Sequence, residues 1–279
     1  MTVYPFILHL GPLEITGYGL MMMVGFLVGS WLIQLELRRR GWREEYASDI
    51  TLAAVIGGIV GAKLWYVALT MDPGALFSRG GLVWYGGFLG GALAVTINGI
   101  RLKVPTAITA HLVAPALAAA YALGRIGCFL VNDDYGRPTD LAWGMKFPQG
   151  MPPSTAGNLQ TLFGVELPPG TDPTTVLAVH PTQLYEAVLM LGAFALLWKW
   201  RTLPKGAGWL FGAYLVFAGV ERFLIEFVRA KDDRFLGPFT IAQLTSVLLV
   251  VIGTIVMSRR AAAAPVAPGP YLAPEGASR

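Results

Sequence analysis

The chain has 279 residues, 54% of them hydrophobic and only 14% charged, with a mean hydropathy of +0.56. A soluble fold of this size cannot hide so much apolar surface, since an average soluble domain is about 25% charged, and the same balance excludes a disordered chain. The net charge of +4 comes from dispersed Lys and Arg, which argues against nucleic acid as a partner, and Cys128 as the single cysteine excludes a disulfide framework.

The class this leaves is an all-α polytopic membrane protein. A membrane-crossing helix needs about 20 mostly apolar residues. Seven windows of that kind follow along the chain, at 18–37, 49–69, 81–100, 106–124, 181–200, 207–228 and 239–258. No Lys or Arg precedes the first window and no small-residue cleavage motif follows it, so it reads as a span rather than a cleaved signal. Between the fourth and fifth windows, residues 125–179 are rich in Pro, Gly, Thr and Asp. That is too long for a plain connector, and it predicts a small extracytoplasmic head of short strands or turns. The membrane domain is therefore expected over 1–260, with an Ala/Pro-rich disordered tail over 261–279.

Orientation follows from the basic residues. Arg38, Arg39, Arg40 and Arg43 follow the first window, Arg101 and Lys103 the third, Lys199, Arg201 and Lys205 the fifth, and Arg259 and Arg260 the seventh. With seven spans these share one side, the cytoplasmic one, which puts the N-terminus outside and the C-terminus inside. The outer side keeps Arg79, Arg125, Arg137, Lys146, Arg229, Lys231 and Arg234.

Charges inside apolar windows are functional candidates. In the sixth window, Arg222, Glu226 and Arg229 stand at i, i+4 and i+7, on one helix face. Two cations against one anion leave a positive charge facing the bundle, suited to an anionic ligand such as a phosphate; a structural ion pair plus a snorkelling Arg competes equally. In Gly124-Arg125-Ile126-Gly127-Cys128-Phe129-Leu130-Val131-Asn132-Asp133-Asp134-Tyr135-Gly136-Arg137, Arg125 sits where an apolar helix is expected to meet the head. Its planar fork suits phosphate, and Gly136 permits a tight backbone path. The glycine-rich run from Arg79 through Tyr85, Gly86 and Gly87 to Gly91 can break a helix for a ligand or serve as a packing face. His180 and Gln183 share a face at the start of the fifth window, where a lone His is more often structural. Tyr18 opens the first, where composition alone favours a routine aromatic-belt residue. The three histidines lie far apart and Cys128 has no partner, so no metal site is supported. No internal repeat of the kind inverted-repeat transporters carry is visible, and no Gly-x-Ser-x-Gly elbow.

Taken together, GRIGCFLVNDDYG, the YGLM opening of the first window, GGLVWYGG, HPTQLYE and RFLIEFVR resemble, in order, the prolipoprotein diacylglyceryl transferase family over about residues 10–258. The resemblance implies a bacterial inner-membrane enzyme without a cofactor. Its partners would be phosphatidylglycerol, the signal peptide of preprolipoproteins and the bilayer. The reaction it implies moves a diacylglyceryl group onto the lipobox cysteine, forms a thioether and releases glycerol phosphate. Carried over by motif, the essential arginines fall on Arg125 and Arg222, the first-helix tyrosine on Tyr18, the signature glycine on Gly136 and the histidine on His180. Glu226 and Arg229 match the acidic and second basic positions, and Gln183, Gly86 and Gly87 are further candidates for holding substrate. Two departures stand out. Tyr85 occupies a position where some members carry a His proposed as base, and Cys128 one where many carry Asn. The base is accordingly open among Tyr85, His180 and Glu226, with Tyr85 first. A small-solute transporter and a diverged paralogue of altered activity are the alternatives.

Overall fold

The computed structural model describes residues 1–11, 13–77, 81–230, 234–236, 239–264 and 266–273. Seven long helices answer to the seven windows: α1 (Gly17–Arg39), α2 (Tyr46–Thr70), α3 (Trp84–Arg101), α4 (Thr106–Val131), α6 (Thr182–Trp200), α7 (Trp209–Ile225) and α8 (Ile241–Arg260). A short α5 (Ala156–Phe163) lies between α4 and α6. By length and composition, α1, α2, α4 and α8 are able to cross a membrane; α3, α6 and α7 are shorter, at 18, 19 and 17 residues. Two of the long helices start on good caps. The Thr16 hydroxyl accepts from Gly19 N at 3.1 Å, and Thr240 and Gln243 satisfy each other's backbone reciprocally.

Helix α4 is the hub, packing against α1, α6 and α7, while α2 pairs with α3 and α7 with α8. Small residues set these contacts, because apolar side chains gain little from leaving lipid and close backbone approach must supply the attraction. A Cβ added to Gly86 would stand 2.4 Å from Gly61 O, and one on Gly90 would stand 2.4 Å from Gly57 O. The glycine-rich run therefore does not break α3 over its described residues; it lets α3 lie against α2. Arg79 and Gly80 lie outside the described residues.

Two expectations are corrected and one element is new. Helix α4 continues seven residues beyond the predicted end at 124, to Val131, because Ile126 and Cys128-Phe129-Leu130-Val131 prolong its apolar run. The segment read as a head thus starts at Asn132, whose left-handed φ of 61° ends the helix. It holds α5 and isolated bridges (Pro138 and Met145 to Val179, Thr155 to Val176) around a core of Tyr135, Phe147, Leu159 and Val179. Second, the N-terminus forms a hairpin, β1 (Ile7–Leu10) and β2 (Leu13–Thr16), that the sequence reading did not foresee; Phe6 N donates to Leu130 O at 2.7 Å and ties it to the end of α4. A second small hairpin, β3 (Arg234–Leu236) with β4 (Phe239–Thr240), leads into α8.

Third, the tail is not free over its described part. Leu272 is wholly buried among Leu37, Tyr46, Ile50, Val104 and Ile108, and its carbonyl accepts from Arg43 N at 3.3 Å. The Tyr271 hydroxyl bonds Asp49 Oδ2, while Arg43 lies 5.1 Å over the Tyr271 ring. One apolar side chain buried at the ends of α1, α2 and α4 outweighs the disorder that Ala and Pro imply. Leu272→Ala is expected to lower stability by about 2–5 kcal/mol, read as a fall in the unfolding temperature of the purified protein; an unchanged transition would contradict the docking.

Candidate active site

The ends of α4, α6 and α7 on the side of the N-terminal hairpin bring three arginines together. Arg125 lies inside α4, not at a junction with a head, one turn after Tyr121 and one before Cys128. Its Nε stands 2.6 Å from Glu186 Oε2 of α6, and its Nη1 donates to Asp134 Oδ2 at 2.9 Å. The Tyr121 hydroxyl accepts from Nε and Nη2, both at 3.3 Å, and the Tyr121 ring lies 5.2 Å beneath the guanidinium. Arg222 of α7 donates through Nη2 to Glu226 Oε2 at 2.6 Å, and its Nη1 is 3.9 Å from Glu186 Oε1. Arg229 donates to Asp134 Oδ1 at 3.5 Å. Glu186, with 2% of its side chain exposed, therefore faces both Arg125 and Arg222, and Asp134 faces both Arg125 and Arg229.

This corrects the charge balance read from α7 alone. Its helix ends at Ile225, so Glu226 caps it and Arg229 follows in the turn. The positive excess expected on that face meets Glu186 and Asp134, supplied by other elements. Glu221, 5% exposed, adds a further carboxylate whose Oε1 has no hydrogen-bond partner among the described residues. The sequence reading gave these acidic residues no role. Glu186 carries a signal that was available: it is an anion one turn into an otherwise apolar helix, within HPTQLYE.

Backbone bonds around Gly136 weld the elements. Gly136 N donates to His180 O at 2.8 Å, Arg137 N to Val228 O at 2.8 Å and His180 N to Arg137 O at 3.0 Å. A Cβ on Gly136 would stand 2.4 Å from Val228 O, 2.7 Å from Thr182 Cγ2 and 2.8 Å from His180 Cβ. Two of these contacts are to backbone or β-carbon, which do not swing away. Gly136→Ala is thus expected to push the 228–229 segment outward, displace Arg229 and reduce activity by about 10-fold to 100-fold, in line with the sensitivity of catalysis to ångström-scale misplacement. A crystal or cryo-EM structure of the variant with residue 229 unmoved, alongside full activity, would contradict this.

Among the other predicted residues, Tyr18 is brought to the edge of the cluster: a Cβ on Gly127 would stand 3.2 Å from its Cα. Gln183 is fully buried and its amide donates to Asp133 O, next to Thr182, whose hydroxyl donates to Asp134 O at 2.6 Å. The pair shapes the loop after α4. The His180 ring bonds the Tyr185 hydroxyl at 3.2 Å, and burial lowers its pKa, which favours the neutral imidazole. Tyr85 is not brought to the arginines; it is 64% exposed at the start of α3, with Trp84 as its ring neighbour. Gly86 and Gly87 face Gly61 and Gly58 of α2.

A cavity of about 200 Å³ opens beside Arg229, lined by Asp133, Asp134, Tyr135 and the apolar Met151, Pro152 and Phe163. The Asp133 Oδ1 atom is buried and has no hydrogen-bond partner among the described residues. Burial, and secondarily the charge of Asp134, push the Asp133 carboxyl up to about 6. Asp134 goes the other way: burial opposes its charge, but Arg229 and Arg125 hold its carboxyl below the usual range. The Cys128 thiol and both aspartates place ligand-type atoms within 4.8 Å of one another. The Arg125 guanidinium already supplies the cation at that spot, 2.9 Å from Asp134 and 3.9 Å from Cys128 Sγ. The arrangement can thus bind an oxyanion in a preorganised fork and take up a proton beside it.

The prolipoprotein diacylglyceryl transferase family matches residues 5–259. Curated relatives named phosphatidylglycerol–prolipoprotein diacylglyceryl transferase include one from Cupriavidus metallidurans, 33% identical over 91% of this chain and 92% of its own. Others are from Clostridium tetani, 31% identical over 91% and 96%, and Geobacter sulfurreducens, 32% identical over 92% and 96%.

Proposed function

Because the chain belongs to the prolipoprotein diacylglyceryl transferase family, we propose that it is the multi-pass membrane enzyme that moves the diacylglyceryl group of phosphatidylglycerol onto prolipoproteins. The acceptor is the lipobox cysteine thiol of the signal peptide. In this reading all seven long helices span, and the Lys/Arg bias supports an arginine cluster at the outer leaflet of the bacterial inner membrane, N-terminus outside and C-terminus inside. The segment 132–181 is the extracytoplasmic head that covers the site. The observation that carries this reading is the convergence of Arg125, Arg222 and Arg229 on Glu186, Glu226 and Asp134, beside a cavity, at one end of an apolar bundle. A solute pathway needs a passage through the bundle, whereas a cluster at one end of it suits a lipid headgroup.

The chemistry follows from the charges. The thiol loses its proton, because the thiolate is the nucleophile. Its sulfur attacks the glycerol carbon of phosphatidylglycerol, a C–S bond forms, and the C–O bond to phosphate breaks with its electron pair leaving on glycerol phosphate. Arg125 and Arg222 face the negative charge that grows on that phosphate. Arg229 holds Asp134, and Glu186 sets the spacing of the two guanidiniums. Of the three base candidates, Tyr85 lies away from the cluster, Glu226 is committed to Arg222, and His180 bonds Tyr185. We assign the base to Asp133, a residue that lines the cavity and whose buried Oδ1 has no hydrogen-bond partner among the described residues.

With its carboxyl at about 6, Asp133 is an active base only when deprotonated. The transfer rate is therefore expected to rise with pH through about 6 and to level above it. Asp133→Asn is expected to lower turnover about 10²-fold or more and to remove that acidic limb, since general base catalysis contributes about 10²–10⁴-fold. A variant that keeps both the rate and the limb would reassign the base.

A further inference from the structure

At the other end of the bundle, α1 and α6 run out into a second group of arginines that the reaction does not use. Glu36 is 4% exposed, and Arg39 donates to its two oxygens at 2.7 and 2.8 Å. Arg40 Nε donates to Oε1 at 2.7 Å, and Arg201 Nε stands 3.3 Å from Oε2. Arg201 stacks on the Trp198 ring at 3.8 Å and Arg40 on Trp42 at 5.0 Å, so both planes are fixed. One carboxylate thus gathers three guanidiniums and leaves two positive charges in excess. Like charges repel, and an ordinary solvated face spreads them; here a single buried anion and two indole rings hold them together.

Polar capacity around this group is also unmet. Arg201 Nε has no aligned hydrogen-bond acceptor among the described residues. On α4, His111 is 5% exposed with neither ring nitrogen hydrogen bonded to a described residue, and the charges that act on it are those of Arg40, Glu36 and Arg39. Each guanidinium carries five N–H donors in a fork that fits a phosphate oxyanion, and Arg39 and Arg40 keep 40% and 25% of their side chains exposed.

We propose that Arg39, Arg40 and Arg201 form a phosphate-oxyanion site at the membrane face opposite the catalytic cluster. Its ligand is the headgroup phosphate of an anionic phospholipid or a soluble phosphate, since both present the same oxygens. Native mass spectrometry of the full-length protein separates the two. In one arm the protein is titrated with dioleoylphosphatidylserine; in the other it is held in phosphatidylcholine nanodiscs and titrated with inorganic phosphate. Arg40→Gln/Arg201→Gln is expected to retain one anionic lipid fewer than the wild type, or to bind inorganic phosphate at least tenfold more weakly. The first result identifies a lipid headgroup and the second a soluble phosphate. Equal lipid counts together with equal phosphate binding overturn the site. Should the double variant not fold, Arg40→Gln alone serves, because Arg39 and Arg201 still neutralise Glu36. Diacylglyceryl transfer is expected to be unchanged in these variants, which keeps the outcome independent of the catalytic assignment.

Discussion

Arg125→Ala is expected to lower diacylglyceryl transfer about 10³-fold while the protein still inserts. Arg125 is the most connected cation of the site: Glu186 lies 2.6 Å from its Nε, Asp134 2.9 Å from its Nη1, and Tyr121 fixes the plane of its fork. Loss of one preorganised donor to a developing oxyanion lowers kcat by about 10²–10³-fold. Arg125 presents more than one donor and also spaces Glu186 from Asp134. Stability falls as well, because removing one partner of a buried ion pair strands the other at about 3–5 kcal/mol. Arg125→Lys separates the two effects. It keeps a charge for Glu186 but not the two-pronged geometry, so it is expected to insert and melt close to the wild type yet recover only a small part of the rate. Wild-type turnover in Arg125→Ala would remove this residue from the chemistry.

Arg222→Ala is the second large effect, expected at about 10²–10³-fold in kcat on the same donor argument. Its closest partner is Glu226 at 2.6 Å, with Glu186 at 3.9 Å. A purely structural reading says that Arg222 exists to neutralise Glu226. The double variant Arg222→Ala/Glu226→Ala tests this, because coupled neighbours do not add. If Arg222 only neutralises Glu226, removing both restores the rate. If Arg222 faces the substrate phosphate, the double variant stays as slow as Arg222→Ala.

Much of this architecture was legible in the residues. Long apolar windows carry a period-independent signal, so all seven long helices fall close to where hydropathy places them. What the sequence concealed has local physical causes. Gly127 sits inside α4, where a Cβ would stand 3.2 Å from Tyr18 Cα, so this glycine serves the packing of α4 against α1 while the helix runs on to Val131. The Tyr85 assignment came from the family resemblance; in space that position opens α3, whose glycines commit its flank to α2. Arg125 and Arg222 were recognisable because a cation in an apolar run is conspicuous. Their shared counter-ion was not, since Glu186 is 61 residues after one and 36 before the other and only helix packing brings it between them. The N-terminal hairpin and the docked Leu272 were hidden for a simpler reason: short β pairs and a single buried leucine leave no period in the sequence.

The most direct test is transfer of label from phosphatidylglycerol, radiolabelled in its diacylglyceryl part, to a synthetic lipobox peptide by the purified protein in detergent. The account predicts thioether-linked label on the peptide cysteine with glycerol phosphate released one for one. An unlabelled peptide, or label appearing only as free diacylglycerol, would contradict it.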